Sequence, residues 1–105
     1  MKEAPIFIDA YQVALELARL KLEPPDTGAH ARALAVELLE ALTLALKGFD
    51  TPERLHDADV LLVRLRLTVR LLIDLSDRPA LIALTEPLDK IGRQLGGWRR
   101  HLMNA

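Results

Sequence analysis

The chain has no cysteine. That excludes disulfides, thiolate metal sites and a cysteine nucleophile, and it fits a reducing compartment. Aromatic residues make up only 4% of the chain, so its apolar material is aliphatic. Serine occurs once, as Ser76, at a predicted helix boundary where capping is its expected role rather than nucleophilic attack. No uninterrupted apolar run approaches the roughly 18 residues of a membrane-spanning helix. The opening Met1-Lys2-Glu3-Ala4-Pro5 does not read as a secretory signal, because Asp9 interrupts the apolar run too early. The expected setting is cytoplasmic, with no membrane partner. Neither sign of charge dominates, the formal net charge being -1. Residues 1–50 carry five Lys/Arg against eight Asp/Glu, whereas residues 51–105 carry nine against seven. A mild asymmetry of this kind is what a solvated surface shows without any polyanionic partner.

What the sequence does hold is helix-forming material. Half of its 105 residues are hydrophobic, and Leu and Ala, both strong helix formers, dominate them. The length fits one domain over residues 1–105. Three breakers divide it. Leu22-Glu23-Pro24-Pro25-Asp26 cannot continue a helix. Gly48-Phe49-Asp50-Thr51-Pro52 reads as a stop and restart, with Gly48 beyond one helix and Pro52 in the first turn of the next. There, Asp50 with Glu53 has the spacing of a capping box, and Thr51 is an equally good cap. Leu75-Ser76-Asp77-Arg78-Pro79 repeats the logic, with Ser76 or Asp77 as cap.

The four segments between are too long and periodic for strands. The first, from about Pro5 to Leu22, spaces Asp9, Gln12, Glu16 and Arg19 along one solvated stripe. The second, from about Gly28 to Lys47, sets Ala31, Leu34, Leu38, Leu42 and Ala45 opposite Glu40, Thr43 and Lys47. The fourth, from about Pro79 to Leu102, places Leu81, Leu84, Leu88, Ile91, Leu95, Trp98 and Leu102 at alternating threes and fours, a seam for knobs-into-holes packing. Pro87 predicts either a kink in it or a break with Thr85 capping a second piece. Short connections between long helices predict an all-α, antiparallel up-down-up-down four-helix bundle.

The third segment, about Pro52 to Leu75, carries two apolar stripes. Leu55, Ala58, Leu62, Leu65, Val69 and Leu72 form one. Val60, Val63, Leu67 and Leu71 form another, set off by Asp59, Arg66, Arg70 and Asp74. A corner helix of a monomeric bundle needs only one stripe. The second is either a subunit interface or a face covered by the helix's own neighbours.

The catalytic inventory is thin. Glu53-x-x-His56 has the spacing of a di-iron bundle ligand pair, but such sites need two pairs plus two further carboxylates. Only one pair is present, at a helix start. His30, His56 and His101 fall near three different helix ends. No apolar stripe holds two carboxylates, and Gly96-Gly97 matches no phosphate-binding fingerprint. No catalysis, metal, cofactor or small-molecule substrate is expected. Gly92 and Gly96, four apart in a helix, predict close approach of a neighbouring helix, since glycine costs about 1 kcal/mol relative to alanine there. Trp98 is expected to anchor the end of the seam. Among the arginines, Arg64 sits near apolar neighbours, where an arginine usually meets a carboxylate or an interface. Arg66 and Arg70 with Asp59 and Asp74 read as a surface strip salt-bridged within the helix. Lys90, Arg93, Arg100 and His101 share one face, with Arg99 nearby, and offer either a polyanion site or a solvated face.

Arg64 to Leu75 (RLRLTVRLLIDL) followed by Ile91 to Trp98 (IGRQLGGW) resembles the accessory variability determinant (Avd) proteins of diversity-generating retroelements and the related bundles encoded in large-subunit rRNA intervening sequences. Pro5-Ile6-Phe7 followed by Tyr11 is similar to that family's start. The resemblance covers about residues 55–102, roughly half the chain. It implies a non-enzymatic four-helix bundle assembled into a ring, typically a homopentamer. It also implies binding of nucleic acid and a reverse-transcriptase partner through Arg64, Arg66, Arg70, Arg93 and Arg99 or Arg100. Members of the family are strongly basic, whereas this chain is slightly acidic, so a self-assembling structural bundle without a nucleic-acid role stands beside that expectation.

Overall fold

A computed structural model describes residues 3–104. They form α1 (Pro5–Arg19), α2 (Pro25–Leu46), α3 (Thr51–Ser76), the single turn α4 (Pro79–Ile82) and α5 (Thr85–Met103), with no strand among the described residues. Four long helices in a body measuring 44 × 27 × 21 Å are compatible with a four-helix bundle. α1 packs on α2 and α5, and α3 packs on α2, α4 and α5.

The buried set follows the predicted stripes. α1 buries Ile6, Ala10, Val13 and Leu17, opposite its polar stripe. α2 buries all five predicted positions and adds Gly28, Ala35 and Ala41. α3 buries the six residues of its first stripe together with Thr68, whose hydroxyl donates to the Arg64 carbonyl at 2.8 Å. Leu81, Leu84, Leu88, Ile91 and Leu95 complete the core, and Trp98 packs against it half-buried. The seam gives out at the exposed Leu102.

Several boundaries differ from expectation. α2 begins at Pro25, three residues before Gly28, because Pro25 supplies a first-turn φ and lacks a donor that the turn would leave unbonded. Gly28 is needed for packing: a Cβ there would lie 2.5 Å from the Leu22 Cβ, so Leu22 reaches the core only because residue 28 has no side chain. The α2 terminus is a Schellman motif. The Gly48 and Phe49 N–H groups donate to the Ala45 and Leu44 carbonyls, with Gly48 at φ +85°. The Asp50/Glu53 capping box does not form. Asp50 is left-handed, and the Thr51 hydroxyl donates backwards to the Ala45 carbonyl at 3.0 Å. Neither Ser76 nor Asp77 caps the following helix. Ser76 bonds the Leu72 carbonyl at 2.7 Å, and the left-handed Asp77 ends α3. Arg78 precedes α4 instead.

Of the two expectations for Pro87, the break is observed. The Pro87 ring would strike the carbonyl four residues back, at Ala83, so regular helix stops at Ile82 and restarts at Thr85. Thr85 is the first residue of α5 and makes no cap bond.

Two arginines outside the predicted sites tie the α1–α2 corner. Arg32 donates to the Leu17 and Leu20 carbonyls at 3.0 and 2.6 Å, occupying acceptors that α1 leaves unpaired at its end. Arg78 donates to the Lys21 carbonyl from across the molecule.

Candidate functional site

The most distinctive surface lies on the outer side of α3. Helical geometry puts Val60, Val63, Leu67 and Leu71 within about 80° of one another around the axis, on the side opposite Leu55, Leu62 and Leu65. They are 46, 65, 68 and 52% exposed, and Leu75 extends the row. The structure excludes one of the two readings of the second stripe. The chain's own helices do not cover it. Scattered exposed leucines are ordinary; these form a contiguous row spanning more than three turns.

The charges around the row are ordered. From Val60 to Ile73 the chain has three arginines and no carboxylate, while Asp57 and Asp59 stand before the segment and Asp74 and Asp77 after it. Arg64 lies on the α2 flank of the row and Arg66 and Arg70 on the α5 flank. The salt-bridged strip expected within α3 is not what forms. Arg66 pairs with Asp89 of α5 at 2.5 Å, Asp59 accepts from Arg99 of α5, and Arg70 makes no ion pair among the described residues. The physical reason is that α5 lies against this flank, so carboxylates across the helix junction stand closer in space than those one turn along. Lys90 pairs with Glu86 at 3.8 Å. Arg64, Arg93 and Arg100, like Arg70, form no ion pair among the described residues.

Arg64 lines an open groove of about 440 Å³ between α2 and α3, together with Glu37, Glu40, Leu44, Arg54 and Val60. Its opposite wall was not singled out from the sequence. On α2, Val36 and Leu44 are 49 and 37% exposed, and Glu37 and Glu40 beside them are exposed and without an ion pair among the described residues. The signal was present: residues 33–46 hold two glutamates and no Lys or Arg, and Val36 and Leu44 stand off the buried stripe.

Arg93 borders a second groove with Ile8, Asp9, Lys90 and Gln94, where the Gln94 amide donates to the Asp9 carboxylate at 2.7 Å. Arg100 folds back along α5. Its guanidinium nitrogens lie 3.7 and 3.9 Å from where Cβ atoms on Gly96 and Gly97 would be, and no other helix comes within 4 Å of Gly96 on that side. Gly92 does face α3, with Arg66 Nη1 and Leu62 Cδ2 at 3.4 and 3.6 Å from its absent Cβ. The close approach predicted for this glycine pair thus falls at Gly92, against side chains.

Glu53 and His56 are exposed in the first turns of α3, and no group of three or more His, Asp or Glu side chains is placed to hold a metal ion among the described residues. No described helix is long and apolar enough to cross a membrane. No family model, curated protein or solved structure matches the chain.

Proposed function

We propose that this protein is a non-catalytic, cytoplasmic, antiparallel four-helix bundle that assembles with copies of itself through the outer face of α3. The observation that carries the reading is the exposed row Val60, Val63, Leu67 and Leu71. Leaving it in water forfeits about 25 cal/mol for each Å² that association would bury. The up-down-up-down arrangement is supported by the α3–α5 pairs: Asp59 meets Arg99 and Arg66 meets Asp89, so residue numbers rise on one helix as they fall on the other. The resemblance at Arg64–Leu75 and Ile91–Trp98 supports closure into a ring, a pentamer in the proteins it resembles. Light scattering on purified protein at micromolar concentration is expected to give a mass several times that of the 11.7 kDa chain. A monomer would sink the reading.

A second reading makes the assembly an accessory scaffold for nucleic acid or a reverse transcriptase. What favours it is that Arg64, Arg70, Arg93 and Arg100 remain without carboxylate partners. Titration against a structured RNA and a DNA duplex at ~50 and ~200 mM salt tests it, because several phosphate contacts make affinity fall by orders of magnitude between those conditions. Tight, salt-sensitive binding that weakens at least tenfold in Arg93→Glu/Arg99→Glu/Arg100→Glu is the expected result on this reading. Absence of binding at low salt removes it and leaves the self-assembling bundle.

A further inference from the structure

The exposed row on α3 needs an occupant, and the charges bordering it restrict what that occupant is. A helix lying along residues 60–73 meets apolar side chains in the middle and arginines on both flanks, with Arg64 on one side and Arg70 on the other free of ion pairs among the described residues. The complementary surface is a helix face that is apolar, acidic and lacking cations over about four turns. The same chain carries one. Over residues 33–46, α2 presents exposed Val36 and Leu44 together with exposed Glu37 and Glu40 that form no ion pair among the described residues; its nearest cations along the helix, Arg32 and Lys47, lie just outside both ends, and Arg54 and Arg64 of α3 border the same groove. The two segments have the same length and opposite charge.

We infer that the outer face of α3 in one copy docks on the outer face of α2 in the next, with Arg64 and Arg70 set against Glu37 and Glu40. This rests on the reading of α3 as the assembly face and adds its counterpart. Each copy offers two different patches on neighbouring helices: engaged with two different copies they build a ring or chain, and engaged reciprocally with one copy they close a two-fold dimer. An α3-on-α3 dimer is disfavoured by the same charges, since it brings two acid-free arginine segments together. An anionic lipid surface suits the arginines, but Asp57, Asp59, Asp74 and Asp77 at both ends of the row would be held against its headgroups. A discrete helix of four turns avoids them.

A charge-swap experiment on the full chain tests the inference. Arg64→Glu/Arg70→Glu sets acid against acid, and Glu37→Arg/Glu40→Arg sets base against base. Sedimentation velocity is expected to show each variant alone dissociating, with the dissociation constant raised about a hundredfold or more. Mixing the two in equal amounts is expected to restore assembly, because both kinds of contact in the mixture are then complementary. Restoration also shows that the variants are folded, as does unchanged far-ultraviolet circular dichroism. If the α3 variant dissociates while the α2 variant assembles like wild type, α2 is not the counterpart and α3 remains the assembly face. If the mixture stays monomeric, or neither variant loses assembly, the pairing is wrong. Assembly of the α3 variant with vesicles of anionic phospholipid is not expected; wild-type binding to such vesicles that the α3 variant loses would overturn the inference in favour of a lipid surface.

Discussion

Leu67→Glu combined with Leu71→Glu is expected to reduce the assembled protein to monomers while leaving its helical circular dichroism unchanged. Both side chains are more than half exposed in the single chain, so the substitutions disturb no core packing. In the proposed assembly they lie at the centre of the contact. Burying the exposed part of each leucine contributes about 1–2 kcal/mol, and each carboxylate forced into an apolar interface adds a further desolvation cost. With about 1.4 kcal/mol per tenfold in affinity, losing one leucine's contribution weakens association roughly tenfold, and losing both, with two carboxylates desolvated in their place, weakens it by about a hundredfold or more. Light scattering across a dilution series reads this directly. An unchanged mass at micromolar concentration would show that the α3 row is not a subunit contact.

The other large effect separates two positions only two residues apart on the same helix. Leu65→Ala is expected to destabilise the fold by about 2–5 kcal/mol, because Leu65 is fully buried in the core and its truncation leaves a cavity. Val63→Ala, on the exposed row, is expected to change the stability of the monomer by no more than about 0.5 kcal/mol. Urea unfolding in the Leu67→Glu/Leu71→Glu background makes the comparison without interference from assembly. With a slope of about 1–3 kcal/mol per molar urea, Leu65→Ala moves the midpoint by about 1 M or more and Val63→Ala leaves it nearly in place. Similar shifts at the two positions would mean that the outward face of α3 is not where the structure puts it.

The contrast between Leu65 and Val63 also marks what was legible in the amino-acid sequence. Apolar periodicity along α3 separated the two stripes correctly, because a helix repeats every 3.6 residues whatever packs against it. The same local rule identified five core positions of α2, though not Gly28, Ala35 and Ala41, those of α5 as far as Leu95, and the breaks at Pro24-Pro25 and Gly48. Capping was less legible. A serine hydroxyl at a helix boundary has two local uses, accepting from the next helix's N–H groups or donating to the carbonyl one turn back, and Ser76 takes the second. Asp50 and Thr51 likewise go elsewhere, because the path of the chain between α2 and α3 decides which backbone groups are within reach. At Pro87 the sequence predicted an interruption but left open kink or break.

The candidate site was legible by composition and not by geometry. Val60, Val63, Leu67 and Leu71 and the arginines Arg64, Arg66 and Arg70 were identifiable from spacing and charge, whereas Leu75 at the end of the row and Arg54 in the groove beside it were not. Which arginines are neutralised was not. The partners of Arg66 and Arg99 lie 23 and 40 residues away on other helices, and helical spacing counts only neighbours on the same one. Nor can periodicity tell whether a second apolar stripe is covered. That depends on where α4 and α5 come to rest, and they cover the α5 flank of α3 without reaching its outer face. The sequence by itself determined the helices, their buried faces and the existence of a surplus apolar row. The tertiary structure alone decided that the row faces water and which of the arginines beside it are paired with carboxylates, because exposure and ion pairing are set by contacts between segments distant in the chain.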